Sequence, residues 1–444
     1  MSPTTPPRLR PTRLALAAAL AAAALPAVAT NGMNMEGYGP VSTGMGGASQ
    51  AIDHGTAAMA QNPATLGLMG GTARLDIALG QLGPRVSSAM PGMPKADSDG
   101  TSYVMPAIGY ARRSGALTWG IGLFAQGGMG TEYDRNTFLA MGSGDPVRSE
   151  LGVGRVLLPL AWQATPELTI GGSLDYVWAN LDLRMAATGA QLGGLVTGAG
   201  GNLGGALPAL GGAPWARIDF SNSSDFSGAA KATGWAAKLG LVWKATPAVT
   251  LGASYQTETD LDDMETTTRG ASLSAAGGFA DKGKIIVRDF QWPSTLALGV
   301  AWQATPALLV AADVKRIGWS DVMKSFRMRY VSADIGGSVD FALPQNWKDQ
   351  TVTNLGVAWA ATPALTLRAG VNLAANPIPD ADVNPLFPAT VKDHYTLGVG
   401  YLLPCDCQLN ASLTVAPRVK VTNGQGVAIT HRQQNLQLMF TKSF

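Results

Sequence analysis

The sequence predicts an all-β protein, a 14-stranded antiparallel transmembrane β-barrel over residues 72–444. Apolar residues alternate with small or polar ones in many short runs, which is the period of a strand with one apolar face. The motif Trp-x-Ala-Thr-Pro occurs four times, each time between two such runs. The chain contains 55 glycines, and charged residues make up only 14% of it. This composition fits strands that face lipid.

The first 29 residues have the pattern of a signal peptide. Three arginines between positions 8 and 13 precede an apolar stretch, Leu14–Leu25, and Ala27-Val28-Ala29 supplies the small residues of a cleavage site before Thr30. The apolar stretch is too short for a membrane anchor. We expect cleavage near Ala29/Thr30, export, and insertion into the outer membrane of a bacterium with two membranes.

Each Trp-x-Ala-Thr-Pro copy is interpreted as the bend of a β-hairpin, because Pro lacks an N–H and suits a turn better than a ladder. The tryptophans would then lie at one height beside four turns on the same edge of the sheet. Indole rings collect at membrane–water boundaries, so a girdle is predicted. A soluble β-protein built from repeats is the alternative. The girdle residues are Trp162, Trp243, Trp302 and Trp359.

The end of the chain fits the same architecture. Leu436, Leu438, Phe440 and Phe444 share one face of the predicted last strand. A terminal Phe behind alternating apolar residues resembles the signal that outer-membrane barrels present to the barrel assembly machinery. An even number of strands places both ends of the barrel on the side of the short turns, which would be the periplasmic side.

Residues 30–71 lack clear alternation but contain Gly44-Met45-Gly46-Gly47-Ala48 and Asn62-Pro63-Ala64. In this position, the stretch resembles the N-terminal plug of the FadL family of outer-membrane transporters. Further similarity lies at Pro293–Gly299 and at Trp319-Ser320. The resemblance implies a plug inside the barrel and passive uptake of long-chain fatty acids or related hydrophobic compounds. It implies neither an enzymatic activity nor a cofactor.

The resemblance also implies a basic partner for a ligand carboxylate after Trp319-Ser320. Lys324, Arg327 and Arg329 lie in the matching region, and contact with lipopolysaccharide phosphates is the alternative role for each. Family members release ligand sideways through a break in an early strand. Pro106 and Pro159 would weaken the predicted strands two and four, although barrel curvature could equally require them.

The longest predicted external loop, residues 186–230, is unusually apolar. Exposed apolar patches mark binding sites or aggregation liabilities. The loop is therefore either a groove where a hydrophobic ligand first adsorbs or a low-complexity loop that packs on its own leucines. The residues concerned are Leu192, Leu195, Val196, Leu203, Leu207, Leu210 and Trp215.

Other function classes have little support. His54, His394 and His431 are the only histidines and lie far apart, so neither a metal site nor a His-based triad is predicted. A net charge of +2 without a basic stripe argues against nucleic-acid binding. Cys405 and Cys407 are interpreted as a turn feature, either a small disulfide ring or a poor metal site. A general aqueous porin and an outer-membrane enzyme barrel remain the alternatives.

Overall fold

One antiparallel sheet, closed on itself, dominates the protein in a computed structural model that describes residues 31–224 and 227–444. The last strand, Ala428–Ser443, pairs with the first, Ala73–Ala89, from Ser443 opposite Arg74 to Ala428 opposite Ala89. Closure leaves no free edge between first and last strand, which an open sheet would expose. The predicted all-β barrel architecture is therefore present.

The strands alternate inward and outward residues along most of their length. The first half comprises β1 Ala73–Ala89, β2 Ala96–Asp97, β3 Tyr103–Ser114, β4 Leu117–Tyr133, β5 Val147–Gln163, β6 Leu168–Ala187, β7 Val196–Gly200, β8 Ala216–Phe220, β9 Ala230–Lys244, β10 Val249–Gln256, β11 Asp260–Leu261 and β12 Met264–Glu265. The second half comprises β13 Ala271–Ala275, β14 Phe279–Arg288, β15 Thr295–Thr305, β16 Leu308–Ile317, β17 Ser325–Ser332, β18 Ser338–Pro344, β19 Gln350–Ala360, β20 Leu365–Ala374, β21 His394–Leu403, β22 Cys407–Thr422 and β23 Ala428–Ser443.

The predicted count of 14 strands is wrong, because the hydrogen-bonded sheet of the described residues contains 23 strands. The sequence interpretation counted only the long alternating runs and treated the connections at the far edge as loops. Those connections contain short strands of their own. β8 pairs with β6 and β13, and β18 pairs with β17 and β7, so the sheet continues past the long strands.

Helices are few and short. The α-helices are α1 Gly39–Thr43, α2 Gly189–Gly194, α3 Gly201–Leu210 and α4 Trp319–Val322; the 3-10 helices are η1 Ala57–Ala60, η2 Pro63–Leu68, η3 Phe138–Ala140 and η4 Asp380–Asp382. None of the helices within the described ranges has the length and apolar character needed to cross a membrane.

The four Thr-Pro motifs form hairpin bends, as predicted. They join β5 to β6, β9 to β10, β15 to β16 and β19 to β20. In the first, the Thr165 hydroxyl accepts a hydrogen bond from the Leu168 backbone N–H at 3.1 Å. Thr362 repeats this contact with Leu365 at 3.0 Å. We call the side with these bends the short-turn end and the opposite side the long-loop end.

The outer surface of the long strands is apolar. Ile77, Leu239 and Leu397, for example, are exposed at mid-strand, where a soluble protein would place polar residues. Two belts of exposed aromatic residues, one near each end of the barrel, border this apolar band. Near the short-turn end lie Trp119, Trp162, Trp243, Trp302, Trp359 and Tyr401; toward the long-loop end lie Tyr176, Trp235, Tyr255 and Tyr395.

Residues 31–71 lie inside the closed sheet, because they contact strands on all sides of it. The Thr56 N–H donates to Asp76 of β1 at 2.6 Å, and the Gly46 N–H donates to the Thr396 hydroxyl of β21 at 2.9 Å. The Ser49 N–H donates to Asp313 of β16 at 2.7 Å. The segment is thereby bonded to distant strands. We call residues 31–71 the N-terminal segment.

Candidate functional site

A cavity lies inside the barrel on the long-loop side of the N-terminal segment. Its volume is about 280 Å³. Its surface is mostly apolar and rich in thioethers, which are polarizable and tolerate ligands of varied shape. The apolar lining includes Met33, Met35, Met105, Met129, Leu82, Val86, Val153 and Trp178. We call this cavity the apolar chamber.

The charged groups at the apolar chamber are acidic. Glu36 and Glu150 line it, and neither Lys nor Arg does so among the residues that the structure describes. Glu36 is buried and accepts a hydrogen bond from Asn435 at 3.3 Å. His431 also lines the chamber, with Nδ1 2.8 Å from the Pro388 carbonyl. Glu150 is paired with Arg148, which lies outside the lining. The described lining therefore offers a ligand carboxylate no free cation, and it can accommodate a neutral molecule.

The barrel wall is incompletely paired next to the apolar chamber. β3 pairs with β1 from Tyr103 to Arg112, but with β4 only from Ala107 onward. Past Phe124, β4 is paired with β5 on its other side, and among the described strands none pairs with β4 on the side of β3. Tyr103–Pro106 therefore face an unpaired stretch of β4, and Pro106 itself has no N–H to offer. Both sides of this gap line the chamber.

The N-terminal segment is attached to β4 at the same gap. The Gly128 N–H donates to the Met33 carbonyl at 3.2 Å, and Asn34 forms a bridge with Gly127. Gly127 has a φ of +156°, and a Cβ there would lie 2.1 Å from the Met33 oxygen. The Asn34 side chain accepts hydrogen bonds from Gln126 at 3.1 Å and from Trp292 at 2.7 Å. The start of the segment thus borders both chamber and gap.

The glycine motif of the N-terminal segment lies against the opposite wall. A Cβ on Gly44 would lie 2.9 Å from the Gly398 Cα. Gly46 has a φ of +69°, and a Cβ there would lie 2.4 Å from the Val371 carbonyl. These two positions therefore require glycine for close backbone approach. The motif brings the segment into direct contact with β20 and β21.

The Asn-Pro-Ala motif joins the N-terminal segment to β9. Asn62 caps η2 by accepting from the Ala64 N–H at 3.1 Å. Its amide donates to the carbonyls of Gln50 at 2.8 Å and of Leu241 at 3.2 Å. Pro63 begins η2, where its missing N–H costs nothing. The motif is a structural anchor and does not line the chamber.

Asp53 forms another anchor of the N-terminal segment. Its carboxylate accepts two hydrogen bonds from Arg74 of β1, at 2.5 Å and 2.9 Å. Burial acts to raise the pKa of Asp53, but the charge and hydrogen bonds of Arg74 outweigh it, so this pKa lies below its ordinary value. The pair therefore stays ionised at neutral pH and fixes the segment to the first strand.

A buried ionic cluster inside the barrel was missed at the sequence level. Arg155 and Lys238 lie 3.1 Å and 3.7 Å from the Asp175 carboxylate. Ser173 donates to the same carboxylate at 2.5 Å. Lys238 also donates to the Met59 carbonyl of the N-terminal segment at 3.0 Å. The sequence did contain a signal for this cluster, because each of three long strands has a charged residue at a position that faces the barrel interior.

The three basic residues predicted to meet a ligand carboxylate lie away from the apolar chamber. Lys324 and Arg327 are exposed, and Arg327 pairs with Asp289. Arg329 makes two bonds to Asp340, at 2.8 Å and 2.7 Å, and these hold the pKa of Asp340 below its ordinary value. The structure does not bring these residues together at a cavity. A role in binding a carboxylate stays a prediction.

The apolar loop residues pack inward. Leu192, Leu203 and Leu210 are buried in the large hydrophobic cluster at the long-loop end. Leu195, Val196 and Leu207 are half-buried against the same cluster. Trp215 is half-buried just before β8. Packing on its own leucines therefore describes this loop better than an open groove, and the landing role stays a prediction.

The remaining predicted positions are at the rim of the short-turn end. The four girdle tryptophans are between 47% and 52% exposed. Phe444 is exposed, and its carbonyl accepts from the Thr72 and Ala73 N–H groups at 2.9 Å and 3.2 Å. A disulfide joins Cys405 to Cys407 in the turn between β21 and β22. Membrane contact of the girdle and an assembly role for Phe444 stay predictions.

A closed barrel with an apolar outer band, an internal segment and an apolar chamber defines a transport protein of the outer membrane. The chain belongs to the family described as outer membrane protein transport protein (OMPP1/FadL/TodX), whose model matches residues 14–443. Members are transport channels and not enzymes. The predicted family is thereby confirmed.

Solved structures of relatives agree with this assignment. The toluene transporter TodX of Pseudomonas putida is 33% identical, with a TM-score of 0.83 over 93% of this chain and 99% of that one. The toluene transporter TbuX of Ralstonia pickettii is 32% identical, with a TM-score of 0.78 over 93% and 99%. The monoaromatic hydrocarbon channel CymD is 25% identical, with a TM-score of 0.73 over 93% and 99%.

A curated relative adds little about function. An uncharacterized protein of Chlorobium limicola, from the 5′ region of the phosphoenolpyruvate carboxykinase gene, is 39% identical over 105 residues. The match spans about half of that relative, 51% of its length, and 23% of this chain.

Proposed function

We propose that the protein is a passive channel that carries neutral hydrophobic compounds, foremost monoaromatic hydrocarbons, across the outer membrane. The observation that carries the proposal is the apolar chamber that opens on the gap between β3 and β4. Residues 30–71 act as a plug that prevents leakage. Cargo enters at the long-loop end and leaves sideways through the gap into the membrane.

The chamber chemistry supports a neutral aromatic cargo over a fatty acid. A fatty-acid carboxylate would lie near Glu36 without a Lys or Arg among the described lining residues, since Arg148 lies outside the lining and is paired with Glu150. Like charges in a low-dielectric site repel strongly. An aromatic ring instead gains favourable contacts with the sulfurs of Met33, Met35, Met105 and Met129. An apolar cavity of roughly 150 Å³ holds benzene in another protein, so the chamber is large enough.

The expected affinity suits a channel. Burying a ring of phenylalanine size removes roughly 150–250 Å² from water, worth about 4–6 kcal/mol. This corresponds to dissociation constants between roughly millimolar and tens of micromolar. Cargo would be captured from dilute solution and still released into the membrane. No covalent chemistry and no cofactor are required.

The remaining environment of the channel follows from its barrel surface. The two belts of exposed aromatic residues, one at each end of the apolar band, would lie at the two membrane–water boundaries. Outer-membrane lipid and lipopolysaccharide would then surround the band, and the barrel assembly machinery would recognise the strand ending in Phe444. The signal peptide, residues 1–29 with cleavage near Ala29/Thr30, lies outside the described residues.

The cargo can be tested by placing a cation in the chamber. We expect Met35→Arg to weaken binding of labelled toluene by about tenfold and to strengthen binding of laurate, because a buried guanidinium disfavours a hydrocarbon and attracts a carboxylate. Met93→Arg is the matched control, since Met93 is exposed outside the chamber. Equilibrium binding to purified protein and uptake by cells measure both ligands. Laurate binding by the wild type that exceeds toluene binding would contradict the proposed cargo.

A further inference from the structure

The outer face of β22, β23 and β1 changes from apolar to basic toward the long-loop end. Leu79 and Leu438 are opposite each other and exposed within the apolar band. Gln81 and Gln434 follow on the outward face. Beyond them, the same face carries four exposed cations on three neighbouring strands. They are Arg85, Arg418, Lys420 and Arg432.

The sheet register places these cations side by side. Arg85 is directly opposite Arg432. A break in the pairing of β22 with β23, between Ala416 and Val419, sets Arg418 beside Arg432 from the other strand. Lys420 lies opposite Thr430, one outward position further on. Directly opposed residues in an antiparallel pair have Cα atoms roughly 4.5–5.5 Å apart, so the charged groups share one small area.

These cations have no acidic partner within the described ranges, and none of the four forms an ion pair there. Asp97, opposite Ser87, is the nearest acid along the register, and it pairs with Lys95 at 2.6 Å. Two outward cations elsewhere on the barrel do have partners: Arg316 lies 3.1 Å from Asp349, and Lys284 pairs with Glu265. Like charges directly opposite on a sheet are destabilising, so an external anion would stabilise this cluster.

We propose that Arg85, Arg418, Lys420 and Arg432 form a binding site for the phosphates of a diphosphorylated, acylated glycolipid of the outer leaflet. Guanidinium groups bind phosphate through two parallel hydrogen bonds. The acyl chains lie on Leu79, Leu436 and Leu438, which are exposed below the cations. Leu436 and Arg432 are four residues apart, roughly 13 Å along the strand.

Two features favour this glycolipid over a phospholipid. Four clustered cations match two phosphate monoesters of roughly −1.5 to −2 charge each. A phosphodiester carries a single negative charge and would leave three of the four cations without a counter-charge. The cluster also lies at the long-loop end, which faces the cell exterior in the proposed orientation. An acidic peptide would not use the exposed leucines immediately below. The ligand is therefore an amphiphile with a strongly anionic head.

The test measures lipid binding to the full-length mature barrel in detergent. Delipidated protein is titrated with hexa-acylated lipid A carrying two phosphates, and bound lipid is quantified by native mass spectrometry. We expect the double variant Arg85→Gln/Arg432→Gln to lose affinity by at least about tenfold, since two charge-assisted contacts disappear. Arg112→Gln/Lys244→Gln is the matched control, because it removes two exposed cations at the short-turn end.

Parallel titrations distinguish the lipid source. We expect lipid A with one phosphate and phosphatidylglycerol to bind more weakly than the diphosphorylated lipid. Heat-modifiable migration on gels verifies that each variant is folded. If the double variant does not fold, the single variant Arg432→Gln is tested in its place. Equal lipid A binding by the double variant and the control would overturn the site. Equal binding of phosphatidylglycerol and lipid A would overturn the assignment to the glycolipid.

Discussion

At the residue scale, glycines mark the places where the N-terminal segment touches the wall. Gly127 is the clearest case, because its backbone conformation disfavours a side chain and the Met33 carbonyl occupies the space of a Cβ. The same residue borders both the apolar chamber and the gap beside β3. A side chain there would affect the position of the segment and the shape of the exit together.

We therefore expect Gly127→Val to displace residues 31–35 from β4 and to lower toluene uptake several-fold. Limited proteolysis of the purified protein should cut the start of the N-terminal segment faster than in the wild type. Gly205→Val in α3 is the control, since nothing lies within 4 Å of its added Cβ. Unchanged proteolysis and uptake would show that the contact with Met33 does not hold the segment.

Sequence reasoning at this scale singled out two motifs of the N-terminal segment but missed the chamber. Gly44 and Gly46 belong to one short motif and Asn62 to another, so each pattern could be recognised directly. Met35, Met105 and His431 are far apart in sequence and meet only because β3 and β23 both flank β1. The alternation of apolar and polar residues shows which side chains face inward, but it does not show their position along the barrel axis.

At the element scale, the long strands and their hairpins were predictable because lipid on one side enforces a period of two. Thr165 and Thr362 also show why the turn motif repeats, since each hydroxyl caps its own bend. The short strands at the long-loop end bury one face in the large hydrophobic cluster, and their other face carries polar residues such as Asp219, Ser272 and Ser274 in place of exposed leucines. β8 and β13, for example, contain buried residues on a cluster shared with α2 and α3, so no lipid-facing alternation marks them.

The inward charges of β5, β6 and β9 provide a prediction about stability. Asp175→Asn would leave Arg155 and Lys238 buried without a counter-ion, and breaking such a pair typically costs about 3–5 kcal/mol. We expect a clear drop in the unfolding midpoint in guanidinium. Asp97→Asn removes an exposed acid of the Lys95 pair and should have little effect. Equal midpoints for the two variants would mean that the cluster contributes no net stability.

At the scale of the whole molecule, the N-terminal segment supports the proposed channel for hydrophobic compounds over an aqueous pore. The segment is bonded to β1, β4, β9, β16 and β21, and so crosses the interior. Its glycine contacts leave little room along β20. An aqueous porin would need that interior open, which is why the segment favours a hydrophobic-compound channel.

Ion conductance in a planar bilayer tests this arrangement. We expect the intact protein to conduct poorly and a variant lacking residues 36–69 to conduct at least about tenfold better, because ion flow depends on a continuous water path. A variant lacking residues 201–210, in the long-loop region, should behave like the intact protein. High conductance of the intact protein would support the aqueous porin instead.

The pairing of β1 with β23 has a consequence for biogenesis. Thr72 and Phe444 are 372 positions apart, yet their hydrogen bond lies at the seam that seals the cylinder. Contacts so distant along a polypeptide form slowly, because a very large loop must close first. Until then, every outward leucine would be in water. We therefore predict that the polypeptide, once exported, needs a holding chaperone in the periplasm, and that depletion of that chaperone causes aggregation before any seam forms.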